Sequence, residues 1–103
     1  MIVYEVNLFV QSAIEADYRA WLDGHIREIL ALPGFLGADL LEVGEPAPAA
    51  DEIALSVQYR LRDEQALADY LREHAPRLRA DGIARFGAGF RAQRRILSKR
   101  QAY

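Results

Sequence analysis

The 103-residue sequence contains no cysteine, which excludes disulfides, thiolate nucleophiles and cysteine-based metal sites. It has no apolar run near the roughly 18 residues that a membrane-spanning helix needs, so a soluble protein without a membrane partner is expected. The chain begins directly in an alternating segment, with neither a basic stretch nor a small-residue cleavage site, and a cytoplasmic location is the default. No G-x-S-x-G turn is present, and Ser12 and Ser98 fall at a predicted helix start and in a predicted tail, so no serine nucleophile is identifiable. Gly87 and Gly89 lead into a predicted strand rather than a helix, which removes the helix amino terminus that a phosphate-binding loop requires. Internal repeats and low-complexity segments are absent. One domain, residues 1–103, with a single core is what this length supports.

What is present is organised around residues 52–61. Ile53, Leu55, Val57, Tyr59 and Leu61 alternate there with Glu52, Ala54, Ser56, Gln58 and Arg60, the period-2 pattern of a half-buried strand. Residues 2–10 repeat the pattern with Ile2, Tyr4, Val6, Leu8 and Val10 on one face, and residues 35–43 and 90–97 read as two further strands. Between the first two strands, Ile14, Tyr18, Trp21, Leu22, Ile26, Ile29 and Leu30 recur at three- and four-residue steps, predicting a helix to about Leu32. Ser12 followed by Glu15 reads as a capping box at its start. Gly24 lies inside it, marking either a close neighbour or a weak turn. Pro33-Gly34 stops the helix, Gly37 suggests a bulge or bend, and residues 44–51 form a hairpin loop. Asp63 caps a short helix that breaks near Ala75, and Pro76 restarts a second piece over 76–86. Residues 98–103 are expected to fray.

The order β-α-β-β-α-β is the ferredoxin-like arrangement, an α+β fold in which helices cover one face of a four-stranded antiparallel sheet. The other face would show Val3, Glu5, Asn7, Phe9, Ala54, Ser56, Gln58, Arg60, Arg91, Gln93 and Arg95. That mixture is too polar for a core and too apolar for a fully solvated surface, so a homodimer closing a barrel is expected. Charge is divided along the chain. Residues 1–71 carry four arginines against 13 acids, and residues 72–103 carry nine bases against Glu73 and Asp81. The split suits either a basic face for an anionic partner or mutual neutralisation across the fold or dimer, and neutralisation is the commoner case.

Trp21-Leu22-Asp23-Gly24-His25-Ile26, Pro33-Gly34-Phe35, Ser56-Val57-Gln58-Tyr59, Leu71 to His74 and Leu78-Arg79 together resemble a bacterial family, domain of unknown function 4286, over nearly the whole chain. The resemblance implies a dimeric α+β barrel, a group that also holds small monooxygenases of the antibiotic-biosynthesis type and haem-degrading enzymes, and it brings no reaction with it. Family members often have proline after the His-Ile pair, where this chain has Arg27. The haem-degrading relatives use a first-strand asparagine, a second-helix tryptophan and a later histidine. Asn7 stands for the first, but Tyr70 takes the approximate place of the tryptophan and His74 comes about a turn early, so no haem or other cofactor is expected.

Candidate site residues follow from polar groups on apolar faces. His25 shares a helix face with Tyr18, Trp21, Leu22 and Ile29; it is either hydrogen-bonded in the core or a proton donor or acceptor at a pocket edge, and is the one catalytic candidate. Asn7, Trp21, His25, Gln58 and Tyr59 are the candidate ligand-binding residues. Tyr4, Tyr18, Trp21, Tyr59 and Tyr70 either line a flat-ligand pocket or belong to the core. His25 and Glu28 are three residues apart but lack a third ligand, so no metal is expected. His74 suits a helix end. The strands lack the aromatic platform of an RNA-recognition sheet, which argues against nucleic acid. Two function classes stay open: a pocket that binds or transforms a small aromatic or polar-conjugated molecule, and a non-catalytic dimeric interaction module.

Overall fold

The computed structural model describes residues 1–103. Its four strands are β1 (Ile2–Gln11), β2 (Phe35–Glu42), β3 (Glu52–Leu61) and β4 (Phe90–Ser98), and its helices are α1 (Glu15–Leu30), α2 (Glu64–Glu73) and α3 (Ala75–Phe86). The strands form one antiparallel sheet in the order β2-β3-β1-β4. This is the ferredoxin-like α+β fold expected from the sequence. No helix is long and apolar enough to cross a membrane.

The pairing of the two central strands is unbroken, from Ile2 opposite Leu61 to Gln11 opposite Glu52. Because side chains alternate across a strand, that register stacks Ile2, Tyr4, Leu8 and Val10 with Leu55, Val57, Tyr59 and Leu61 on the helix side, where all eight are buried. Tyr18, Leu22 and Ile29 from α1, Leu67 and Tyr70 from α2 and Leu78 from α3 complete the core. Gly37 marks the expected bulge, where the β2 register shifts between Phe35 and Gly37.

The local signals at the second helical unit act as read. Asp63 adopts extended backbone and its carboxylate accepts from the Ala66 N–H at 2.9 Å, capping α2. Proline lies in the first turn of α3, and His74 joins α2 to α3, its N–H donating to the Tyr70 carbonyl at 2.9 Å. Gly34 has φ of +86°, and its missing Cβ leaves room for Ala66 to pack against the turn.

The capping box does not form. Ser12 opens a 3₁₀ turn of three residues instead, its backbone N–H donates to the Asp51 carbonyl at 2.8 Å, and α1 begins at Glu15 without a side-chain cap. The Glu15 carboxylate turns to Arg19 at 2.8 Å. A lysine- or arginine-type partner one helical turn on competes well with a backbone amide for a carboxylate. Of the two readings of Gly24, the close neighbour is excluded: nothing lies within 4 Å of where its Cβ would be.

Urea denaturation separates these cases. Gly24→Ala should raise stability by up to about 1 kcal/mol, since it adds helix propensity without a clash. Ser12→Ala should stay within about 0.5 kcal/mol of the parent, whereas Asp63→Ala should lower the midpoint. A Ser12 variant as damaged as the Asp63 variant would show that the box forms in solution.

Candidate functional site

A cavity of about 240 Å³ opens between the helix side of the sheet and the bodies of α1 and α3. Its floor is Tyr4, Val6 and Leu8 of β1 with Val57 and Tyr59 of β3, and its walls include Tyr18, Trp21, His25 and Ile29 of α1 and Leu78, Arg79 and Gly82 of α3. Two aromatic groups hold the walls. Tyr18 packs at 5.0 Å from Phe86 and 5.1 Å from Phe90, with Trp21 at 5.5 Å. Tyr59 lies 6.2 Å from Tyr4 and 5.8 Å from Phe35, and Phe35 meets Tyr70 edge-on at 5.1 Å. Tilted and edge-on pairs at these separations are each worth about 0.5–1.5 kcal/mol beyond their buried area, so the rings are held in place rather than free to fill the space.

Trp21 is positioned from both sides. Its indole N–H donates to Asp81 at 3.0 Å, and the ring lies 3.0 Å from where a Cβ on the buried Gly82 would sit. Only glycine lets α3 approach the ring so closely. His25 stacks on Trp21, with ring centroids 4.4 Å apart and planes 23° from parallel. Burial pushes the imidazole below its ordinary value against the opposing pull of Glu28 and Asp81, and Arg94 adds to the lowering. A half-buried, neutral imidazole of this kind can accept a proton or a hydrogen bond at neutral pH.

The cavity also contains hydroxyls without partners. Burial raises the phenols of Tyr18 and Tyr59 far above their usual value and that of Tyr70 to about 12, and no hydrogen bond acts on any of the three. Each is therefore a neutral O–H donor at physiological pH. The side-chain polar atom that is fully enclosed without a partner is the Ser56 hydroxyl on the other face of the sheet, so these three hydroxyls are not sealed in the core, and their residues line the cavity.

Of the residues singled out from sequence, Trp21, His25 and Tyr59 converge on this cavity. Asn7 and Gln58 do not. Gln58 neighbours Tyr59 on one strand and Asn7 pairs with Ser56, so both project from the opposite face of the sheet. There they surround Glu5, whose carboxylate accepts from Asn7 at 2.9 Å, Gln58 at 3.1 Å and Arg95 at 2.7 Å. These bonds, Arg95 first, hold Glu5 below the usual carboxylate value. Glu5 is only 4% exposed, yet its cover is one side chain deep, since the Arg95 side chain above it is 64% exposed. The haem-type triad is likewise split: Asn7 lies on this open face, Tyr70 in the cavity and His74 at the α2–α3 joint.

The sequence reading missed Arg79, Arg94 and Gly82 in the cavity lining. The signal was the basic balance of residues 72–103, which was assigned to neutralisation. Much of it is neutralised, with Arg77 at 3.1 Å from Glu28, Arg91 at 3.8 Å from Glu52 and Arg95 at 2.7 Å from Glu5. Arg79 and Arg94 are the exceptions within the helices and strands, beside Lys99 and Arg100 of the tail.

The histidine gives a pH-dependent prediction. In the unfolded chain it titrates near 6.5, and folding lowers that value, so the unfolded state binds more protons and His25 withdraws stability as pH falls below about 6.5. Above that point it contributes no slope. Between pH 7 and pH 5, His25→Gln should therefore lose less thermal stability than the parent. Parallel loss in both proteins would show that the imidazole titrates as it does in the unfolded chain.

Comparison with solved structures gives fold relatives. A provisionally assigned antibiotic biosynthesis monooxygenase of Deinococcus radiodurans superposes with a TM-score of 0.76 at 12% identity, covering 100% of this chain and 96% of the other. A variant of SnoaB, a cofactor-independent oxygenase from Streptomyces nogalater, gives 0.70 at 18% identity over 98% and 95%. Rv0793 from Mycobacterium tuberculosis gives 0.64 at 20% over 99% and 98%. At such identities the likeness is one of fold. No curated protein matches the chain in sequence. A family model does match it, over residues 1–100, and the chain accordingly belongs to the family described as domain of unknown function DUF4286.

Proposed function

We propose that this protein is a cytoplasmic homodimer in which each protomer binds, and where the chemistry allows transforms, a small flat aromatic molecule in the cavity beneath the helices. The observation that carries the reading is the set of unpaired polar groups around one apolar cavity: the hydroxyls of Tyr18, Tyr59 and Tyr70 and the neutral imidazole of His25. Ligand pockets typically join a mainly apolar lining to a few such orienting groups, and about 240 Å³ falls just below their usual range of roughly 300–1,000 Å³, which suits a ligand of one or two rings. For a ligand with an acidic proton, His25 is the group placed to take it. The fold shared with proteins named as oxygenases supports a small-molecule role.

Dimerisation rests on the open sheet face. Glu5 and Ser56 are 4% and 6% exposed there, and the Ser56 hydroxyl is buried without a partner. Val3, Phe9, Ala54 and Leu97 occupy the same face by register, as does Leu41, which is 44% exposed. A second copy would cover these apolar residues around the Glu5 network. The expected dimer buries on the order of 1,600 Å² in total. Light scattering at micromolar concentration should give twice the 11.6 kDa of one chain, and a monomer mass would contradict the barrel.

Ligand binding can be read through Trp21, the one tryptophan in the sequence and a cavity residue. A panel of one- and two-ring aromatics should contain members that change its emission saturably. His25→Gln should weaken that binding about tenfold, an imidazole hydrogen bond being worth roughly 1.4 kcal/mol, with little change in melting temperature. A destabilised variant together with no response to any ligand would favour the non-catalytic interaction module.

A further inference from the structure

Nine of the eleven arginines preceding residue 99 have a carboxylate within 4.0 Å. The two that do not, Arg79 on α3 and Arg94 on β4, both line the cavity. Arg100, in the tail after β4, is the other arginine without one. Arg79 and Arg94 share one site, and both act electrostatically on Tyr70. No acidic residue lines the cavity, and the carboxylates nearest His25 are already engaged: Asp81 by Trp21 and Arg85, at 3.0 and 3.2 Å, and Glu28 by Arg77 at 3.1 Å. Arg91 turns its guanidinium to the opposite face of the sheet, where it is held by Glu52 and lies 3.9 Å over the Phe9 ring.

We infer that the ligand is an aromatic carboxylate whose anionic group is held by the guanidinium groups of Arg79 and Arg94 while its ring lies against Trp21 and the tyrosines. The inference rests on the small-molecule reading above and assigns the ligand's class. Arg79 is already oriented, since it donates to the Tyr4 hydroxyl at 2.9 Å, and its remaining N–H groups are free for an anion. Arg94 has no hydrogen-bond or ion-pair partner in the chain and lies close enough to favour the ionised forms of Tyr18, Tyr59 and Tyr70 while disfavouring imidazolium at His25. A planar guanidinium fork matches the two oxygens of a carboxylate, and a partly apolar surround strengthens the pair relative to bulk water. The same positive field favours deprotonation of an acidic position elsewhere on the bound ligand. That would place the arginines on the specificity side of the site and His25 on the proton-transfer side.

The test uses 2-naphthoate, its neutral isostere 2-naphthamide and 2-naphthyl phosphate as probes, followed by calorimetry and by Trp21 emission, on the parent and on Arg94→Gln, Arg79→Gln and Arg79→Lys. The expected result is naphthoate bound at least tenfold more tightly than the amide. That gap should shrink about tenfold in Arg94→Gln and in Arg79→Gln, and part of it should remain in Arg79→Lys, which keeps the charge. Melting temperatures identify any variant that has lost its fold, and Arg94→Gln removes no hydrogen bond or ion pair within the chain. Equal affinity for acid and amide would overturn the carboxylate while leaving the pocket in place. A gap unaffected by the substitutions would overturn the two arginines, and tighter binding of the phosphate than of the carboxylate would overturn the ligand class. Binding of none of the three would remove the small-molecule reading itself.

Discussion

The constraint on which the rest of the structure depends is the register between β1 and β3. Ten successive residues pair without a bulge, and because alternate side chains face opposite ways, one choice of register fixes two different chemical surfaces. Toward the helices it presents Tyr4 and Tyr59, the floor of the cavity; away from them it presents Glu5 and Gln58, the centre of a polar network. A slip by one residue would exchange these sets, placing a carboxylate in the core and tyrosines in water. The cost of burying an unpaired carboxylate alone makes that arrangement inaccessible.

On the helix side the chain departs from a fully packed core. Folding ordinarily fills such a space with aliphatic side chains, yet here aromatic rings meet one another at tilted and edge-on angles around a space they do not fill. Departures from full packing concentrate where a protein acts on something else. Gly82 belongs to the same pattern: a side chain there would crowd Trp21, whereas glycine lets the indole, on which His25 stacks, approach α3 closely. Stability is given up at each of these positions, and the return is a concave aromatic surface with a neutral base and two unpaired arginines at its edge.

Much of the fold was legible in the sequence because its signals are local. Alternation in residues 2–10 and 52–61, the Asp63 cap, the proline opening α3 and the Gly37 bulge each concern a few neighbouring residues whose backbone has few choices. The capping box failed for the opposite reason: Ser12 is tied to Asp51 across the sheet, and Glu15 prefers Arg19, neither of which the Ser-x-x-Glu spacing reveals. The candidate site was half legible. Trp21, His25 and Tyr59 share a cavity as residues on one helix stripe and one strand face should, and Asn7 and Gln58 lie on the opposite face, where strand alternation puts them. Arg79 and Arg94 were hidden among nine basic residues of the carboxyl-terminal third, because which of them find carboxylates depends on contacts reaching back to Glu5, Glu28 and Glu52.

The central claim is that the space between the sheet and the α1 and α3 helices is a standing cavity rather than a core that closes in solution. Xenon enters apolar cavities of adequate size without needing specific chemistry, so a crystal structure determined under xenon pressure tests the claim directly. The account predicts xenon density enclosed by Tyr18, Trp21, Tyr59 and Leu78, with the rings unmoved. A map with no xenon there and with Trp21 or Tyr59 rotated into the space would contradict it.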